Sequence, residues 1–572
     1  MTRSAPPLSP AGREHALAAM AEQELDVLVI GGGVTGSGCA LDAVTRGLTV
    51  GLVEARDFAA GTSSRSTKLF HGGLRYLEQL NFPLVLEALK ERSLVLNTLC
   101  PHLARPVPFI YPLERPVLDR AYVGLGIGVY DVMGAGRGVP GHLRHLGRKQ
   151  ALESFPSGRR SAIKGAIRFY EGQVDDARHT MMIARTAAQY GALCANSARV
   201  VGFLREDDRV AGARVRDLES GHEFDVRAKE VINAAGVWTD EIQTMVGGRG
   251  QFQVRASKGV HLVVPRNRIN SATGIITRTE KSLLFIIPWG SHWIIGTTDT
   301  DWRLDLAHPA ASQTDIDYLL DHANSLLQDP LTREDVVGVY AGLRPLLSGE
   351  SDSTSKLSRE HAVASPVRGL TVIAGGKYTT YRVMAKDAVD AAVHGMQRKV
   401  PRSCTERTPL LGADGYLGAW NSRELTAART GLRRGQVEHL LGRYGTLMSE
   451  LLDLVAERPE LGEPLAGAPE YLKVEACYAA SHEGALHLED VLTRRTRISI
   501  EVDDRGHAAA QEVAELVAPV LGWDAHDVAR EVEHYRARVQ AERESQHQPD
   551  DLTADAARLG APDVRVGASD RV

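Results

Sequence analysis

The sequence predicts an α/β protein: a dinucleotide-binding domain on a parallel sheet, interrupted by a mainly antiparallel sheet and followed by a helical domain. Three observations carry this. An apolar run, Leu25-Asp26-Val27-Leu28-Val29-Ile30, leads directly into Gly31-Gly32-Gly33-Val34-Thr35-Gly36, and a second run, residues 48–53, ends on Glu54. Strand, glycine turn, helix and second strand with an acid about twenty residues on form the nucleotide-binding βαβ pattern. Strands rich in Val, Ile and Trp then follow at 259–264, 283–288 and 292–296, and beyond Pro401 helix formers prevail with little β signal.

Each element has a physical reason. Gly31 permits the tight turn, Gly33 lets the backbone approach a pyrophosphate, and Gly36 lets helix and strand pack closely. The helix N-terminus offers unpaired N–H groups to phosphates. Glu54 can accept from ribose hydroxyls, which argues against a 2′-phosphate and so for FAD or NAD over NADP. Residues 1–24, rich in Ala, Pro and Ser, read as a disordered arm. Residues 80–99 mix Leu80, Leu84, Leu86, Leu89, Leu94 and Leu96 with Glu87, Lys90, Glu91 and Arg92, an amphipathic helix. Residues 201–231 alternate in strand fashion with turns at Glu206-Asp207-Asp208 and Ser220-Gly221, and 231–238 read as a buried strand ending in small residues. The chain returns to the nucleotide domain through 370–376, which closes on Gly375-Gly376, with a helix from about Thr380. The domains are therefore 25–400, discontinuous, with a β-rich insert at about 80–170 and 245–365; a helical domain at 401–543; and a disordered tail at 544–572.

Composition narrows the function classes. A chain of 572 residues, 43% hydrophobic and 24% charged, suits a soluble globular protein of two or three domains. A net charge of −5 offers no electrostatic case for nucleic acid. The five cysteines, Cys39, Cys100, Cys194, Cys404 and Cys477, are scattered, which fits reduced thiols in a cytoplasmic protein and no metal site. No signal peptide or bilayer-spanning run is visible. The Gly-rich apolar run 121–130, flanked by Arg115, Arg120 and Arg137, reads as a core segment, with a membrane-surface role as the rival.

Chemistry concentrates in a few segments. Residues 61–77 gather Thr62, Ser63 and Ser64 with Arg65, Lys68, His71 and Arg75, and Phe70, Leu74, Tyr76 and Leu77 would tie them to the core. Such hydroxyls and N–H groups suit a pyrophosphate or an isoalloxazine edge, and Arg75 suits an anionic substrate. Lys258-Gly259-Val260-His261, Gly296-Thr297-Thr298-Asp299, Leu343-Arg344-Pro345, Ser358-Arg359-Glu360-His361 and Gly375-Gly376-Lys377 repeat the theme. Cations at strand ends and glycine turns argue together for a pocket that binds a small anion such as phosphate.

These motifs, together with Asn233-Ala234-Ala235-Gly236-x-Trp238, Gly376-Lys377-x-Thr379-Thr380-Tyr381-Arg382 and the C-terminal Leu488-Glu489-Asp490-Val491-Leu492-x-Arg494-Arg495-Thr496-Arg497, resemble FAD-dependent glycerol-3-phosphate dehydrogenases over about 25–533. Tyr378 departs from the usual Leu, Phe or Met, as do the arm and tail. The resemblance implies a Rossmann-like FAD domain of the glutathione-reductase and D-amino-acid-oxidase type. It implies oxidation of sn-glycerol 3-phosphate to dihydroxyacetone phosphate by hydride transfer from C2 to flavin N5. Electrons would pass to a membrane quinone, menaquinone or ubiquinone, from a cytoplasmic enzyme held peripherally on the cytoplasmic membrane; a homodimer stays open. FAD would be held by Gly31, Gly33, Gly36, Glu54, Thr62, Ser63, Ser64, Lys68, Leu69, His71, Gly73, Val200, Ala235, Gly236, Trp238, Gly376, Lys377, Tyr378 and Thr379. Arg75, Tyr76, Arg344, Arg359 and Lys377 would bind substrate, with Arg344 also catalytic and His261 or Asp299 the general base, His261 favoured because an imidazole titrates nearer neutrality. The alternatives are a glycerol-3-phosphate oxidase using O₂, a flavin oxidase of another small anionic alcohol or amine, and a silent flavin-binding scaffold.

Overall fold

The computed structural model describes residues 7–71, 82–113, 144–247, 252–280, 282–348, 360–396 and 398–565. Gly73, Arg75, Tyr76, Arg359 and the run 121–130 lie outside them.

The nucleotide sheet is parallel at its centre. Leu25–Ile30 lies between Glu223–Asn233 and Val50–Val53, and Leu370–Gly375 and Leu193–Ala195 extend it on the two sides. Leu25–Ile30 and Val50–Val53 are buried along their whole length, which is why they read as apolar runs rather than alternating ones; the one charged residue, Asp26, is paired with Lys229 and Arg398. Helices Val34–Thr45, Asp176–Gln189 and Tyr381–Val393 share one apolar core with this sheet. The excursion read from 201–231 is an antiparallel meander of Ala198–Glu206, Arg209–Asp217 and Glu223–Asn233.

The second sheet is mainly antiparallel. Its long strand Val254–Pro265 pairs with Gly338–Leu347 along one edge and with His292–Gly296 and Thr300–Trp302 along the other. Leu283–Trp289, Gly274–Arg278, Ala104–Pro112 and Gly165–Val174 continue it, with one parallel step between Gly274–Arg278 and Ala104–Pro112. The amphipathic stretch at 80–99 is a helix, Phe82–Leu94, running into a wider turn, Val95–Leu99. In the C-terminal domain Gly431, at φ +73°, breaks the helical pattern into Arg423–Thr430 and Arg434–Tyr444.

Both termini depart from the disorder their composition suggests. Pro10–Glu22 is a helix: Ser9 Oγ caps it by accepting the Gly12 N–H at 3.0 Å, Arg13 Nε donates to Asn196 O at 2.9 Å, and Met20 is fully buried beside Leu25. Near the other end Asp551–Leu559 is a helix capped by Asp550, and the chain continues so that Asp563 meets Arg56 at 2.8 Å and Arg565 meets Asp490 at 2.6 Å. Polar composition misleads here because these segments are held by ion pairs and caps to distant parts of the chain, contacts no local window contains.

Candidate active site

A cavity of about 660 Å³ opens between the two sheets. One end is walled by Glu54, Val200 and Glu241, the other by His261, Arg344 and Lys377. The glycine turn shapes the first end. Gly31 sits at φ +108°, and a Cβ on it would come 2.7 Å from Ala234 O. A Cβ on Gly36 would come 1.8 Å from Gly31 O; Gly36 thus acts by packing and does not itself line the cavity. Ser63 Oγ accepts the Val34 N–H at 2.9 Å, and Thr62 Oγ1 donates to Leu343 O at 2.6 Å, tying turn, loop and second sheet together. Glu54 closes this end, accepting the N–H groups of Gly32 at 2.6 Å and Arg56 at 2.8 Å. Burial holds its carboxyl above the usual carboxylate range against the pull of those two donors.

Strand register builds the other end. Ser257, Gly259 and His261 alternate along Val254–Pro265 and so share a face. Across the ladder Ser257 is opposite Arg344, Gly259 opposite Gly342 and His261 opposite Tyr340. Gly259 is needed because a Cβ there would come 2.6 Å from the Arg344 guanidinium. Arg344 Nη2 donates to Thr297 Oγ1 and Thr298 O, each at 3.1 Å, and Nη1 lies 3.8 Å from Asp299 Oδ1. His261 stacks on Tyr340 with centroids 4.7 Å apart and meets Thr67 Oγ1 through Nε2 at 3.1 Å, while Nδ1 has no hydrogen-bond partner among the described residues. Burial, then the charges of Arg344 and Lys68, hold the imidazole well below its ordinary pKa, so it is neutral near pH 7.

Most of the expected residues therefore meet in one place. Gly31, Gly33, Glu54, Thr62, Ser63, Leu69, His71, Val200, Ala235, Gly236, Trp238, His261, Arg344, Gly376, Lys377, Tyr378 and Thr379 all line the cavity. Three residues, Lys68, Ser64 and Asp299, behave differently from expectation. The Lys68 ammonium is fully buried on Asp176 Oδ1 at 2.8 Å and Ser64 O at 3.1 Å, so both Lys68 and Ser64 brace the loop from behind. Asp299 accepts from Ser257 Oγ at 2.5 Å with a side chain only 1% exposed; it sits behind Arg344 and does not reach the cavity. Tyr378, the unusual residue, is fully accommodated: its hydroxyl donates to Asp176 O at 2.7 Å and lies 3.0 Å from His179 Nδ1. Sequence reasoning missed Ser257 and Tyr340 and gave no role to Thr67 and Thr297, although both lie in segments it singled out; these four hold Arg344 and His261. The period-two pattern Ser257, Gly259, His261 was the available signal.

The cavity fits a flavin dinucleotide. Its volume lies in the range of cofactor sites, and its turn leaves no room for side chains where the backbone must approach phosphates. Residues 26–382 match the family model described as FAD dependent oxidoreductase, and 403–528 match one described as the C-terminal domain of alpha-glycerophosphate oxidase. "Glycerol-3-phosphate dehydrogenase 2" of Mycobacterium tuberculosis is 60% identical over 559 residues, covering 98% of this chain and 95% of that protein. Glycerol-3-phosphate dehydrogenase of Mycobacterium leprae is likewise 60% identical over 98% of this chain and 95% of its own. A solved structure of glycerol-3-phosphate dehydrogenase from Bacillus halodurans, complexed with FAD, superposes with a TM-score of 0.77 at 30% identity, covering 93% of this chain and 98% of that one.

Proposed function

This chain belongs to the FAD-dependent glycerol-3-phosphate dehydrogenase family, and from that premise we propose that it oxidises sn-glycerol 3-phosphate at C2 to dihydroxyacetone phosphate and passes the electrons to a membrane quinone. The observation that carries the reading is the pairing of Arg344 with His261 on one face of the second sheet, at the far end of the cavity from Glu54. When bound, FAD supplies the acceptor of the C2 hydride.

The protein's own groups supply the rest. Arg344 and Lys377 hold the substrate phosphate, so that binding energy remote from C2 fixes the carbon in place. Asp299, Ser257, Thr297 and Thr298 hold the Arg344 fork in turn. His261 takes the C2 hydroxyl proton at Nε2, the nitrogen beside Thr67. Arg344 depresses the imidazole in the free enzyme; a dianionic phosphate on Arg344 offsets that charge and strengthens the base when substrate is present. Asp299, lying behind Arg344, fits a positioning role and not that of the base.

The motif resemblance supports a quinone acceptor, and relatives named dehydrogenases rather than oxidases favour an acceptor other than O₂. No helix among the described residues is long and apolar enough to cross a membrane, and a peripheral position on the cytoplasmic membrane is the reading we adopt. The test mixes purified enzyme with substrate anaerobically and then adds menaquinone, ubiquinone or O₂ in separate portions. Reoxidation by quinone far faster than by O₂ is expected; peroxide formation at a matching rate would make it an oxidase.

A further inference from the structure

Arg65 forms part of the cavity wall, although the 61–77 loop in which it lies gave it no role of its own. Its backbone is fixed on both sides. The N–H donates to Thr62 O at 3.1 Å, and Gly342 packs so closely that a Cβ there would come 2.5 Å from Arg65 O. Its Nη1 donates to Ala307 O at 3.1 Å, the same carbonyl that receives Arg56 Nη1 at 3.1 Å. Two guanidinium groups thus converge on one carbonyl at the wall.

Their compensation differs. Arg56 is paired with Asp563, which the C-terminal segment brings in from beyond the stretch matched by either family model. Nearby, Arg494 is paired with Asp57 and Arg538 with Glu489. Arg65 has no carboxylate partner among the described residues. Arg65 is half-buried on the cavity wall, and a guanidinium held there without a counter-charge suits an anion brought into the cavity. Burial and then the charges of Arg56, Arg494 and Arg538 bring its pKa down to about 9, the direction expected of a cation crowded by others.

We propose that Arg65 is a ligand for a phosphate in this cavity, and specifically for the diphosphate of FAD. The proposal rests on FAD being the cofactor. Arg65 follows Thr62 and Ser63, and Ser63 Oγ takes the Val34 N–H at the start of the helix where a diphosphate would be received. The planar fork of an arginine suits two phosphate oxygens at once. The substrate phosphate is the other source of the same chemistry, since Arg344 lies two positions from Gly342.

The test uses holoenzyme and follows FAD release on dilution by the rise in flavin fluorescence, beside KM for sn-glycerol 3-phosphate. R65M is expected to raise the Kd for FAD by about tenfold or more, with a weaker dependence on salt and KM unchanged in the flavin-loaded fraction. R65K, which keeps the charge and loses the fork, is expected to fall between, and it carries the test if R65M does not fold. Unchanged FAD retention in R65K and R65M would overturn the proposal. So would a raised KM with FAD held as tightly as before, which would assign Arg65 to the substrate phosphate. Wild-type protein that never holds flavin would sink the cofactor assignment itself, a different result from wild type and variant holding flavin equally well.

Discussion

At the Glu54 end of the cavity much of the wall comes from one part of the chain, Ile30 to Ser63, and backbone shape does the work. At the Arg344 end the wall is assembled from Thr67, His261, Thr297, Arg344 and Lys377, distant in sequence and joined by strand register, and side-chain chemistry does the work. The first end should therefore fail by steric obstruction and loss of cofactor, the second by loss of rate with the cofactor still in place.

The sharpest way to break that distinction is Gly36→Ala. With its Cβ 1.8 Å from Gly31 O, the turn must deform, and the purified protein is expected to carry little or no flavin by absorbance. Flavin at full occupancy would show that backbone closeness is not what holds the nucleotide end. Arg344→Ala, by contrast, is expected to keep its flavin while kcat/KM falls on the order of a hundred- to a thousandfold, the cost of removing one partner of a charged contact.

His261→Asn should lower kcat roughly a hundredfold, the scale of a lost general base, again with flavin retained. In wild type the depressed imidazole stays deprotonated until pH falls well below 6.5, so activity should persist into acid. In Arg344→Ala the acid limb should move up in pH, because a cation beside the imidazole is gone. An unmoved limb would separate the two residues that the sheet register joins.

Smaller effects test the frame around the cavity. His487 is buried between Glu531 and Glu219, 3.0 Å from each. Burial and Arg565 oppose its charge, yet the two carboxylates push its pKa up to about 9. The sign follows: the stabilisation is complete below the ordinary pKa near 6.5 and fades as pH rises through about 9. His487→Gln should cost about 1–3 kcal/mol at pH 6 and much less at pH 10 by chemical unfolding. Tyr378→Phe should cost about 1 kcal/mol, from His179 and Thr180 losing a buried partner, with kcat near wild type. A large fall in kcat would give that hydroxyl a role in the reaction.

The same contrast explains what the sequence disclosed. The Gly31–Gly36 turn and Glu54 were legible because the constraint is local: a glycine either fits a turn or does not. The meander through 201–231 was legible for a similar reason, since alternation and turn residues sit in one short window. Arg344 and His261 stood out by type and through the resemblance, but their supports did not. That Ser257 faces Arg344 depends on the register of Val254–Pro265 against Gly338–Leu347, which no window spans. Lys68 and Asp299 were expected in contact with ligand because of their chemistry; Asp176 and Ser257, far away in sequence, turn them aside. The termini were misread for the same reason, since Arg13 and Asp563 find their partners across the fold.

The most direct test is anaerobic reduction of the bound flavin by sn-glycerol 3-phosphate, followed by absorbance in wild type and Arg344→Ala. Prompt bleaching in wild type, with slow or absent bleaching in a variant that dithionite still reduces, is the result expected. A wild-type flavin that dithionite bleaches and sn-glycerol 3-phosphate does not would contradict the proposed reaction.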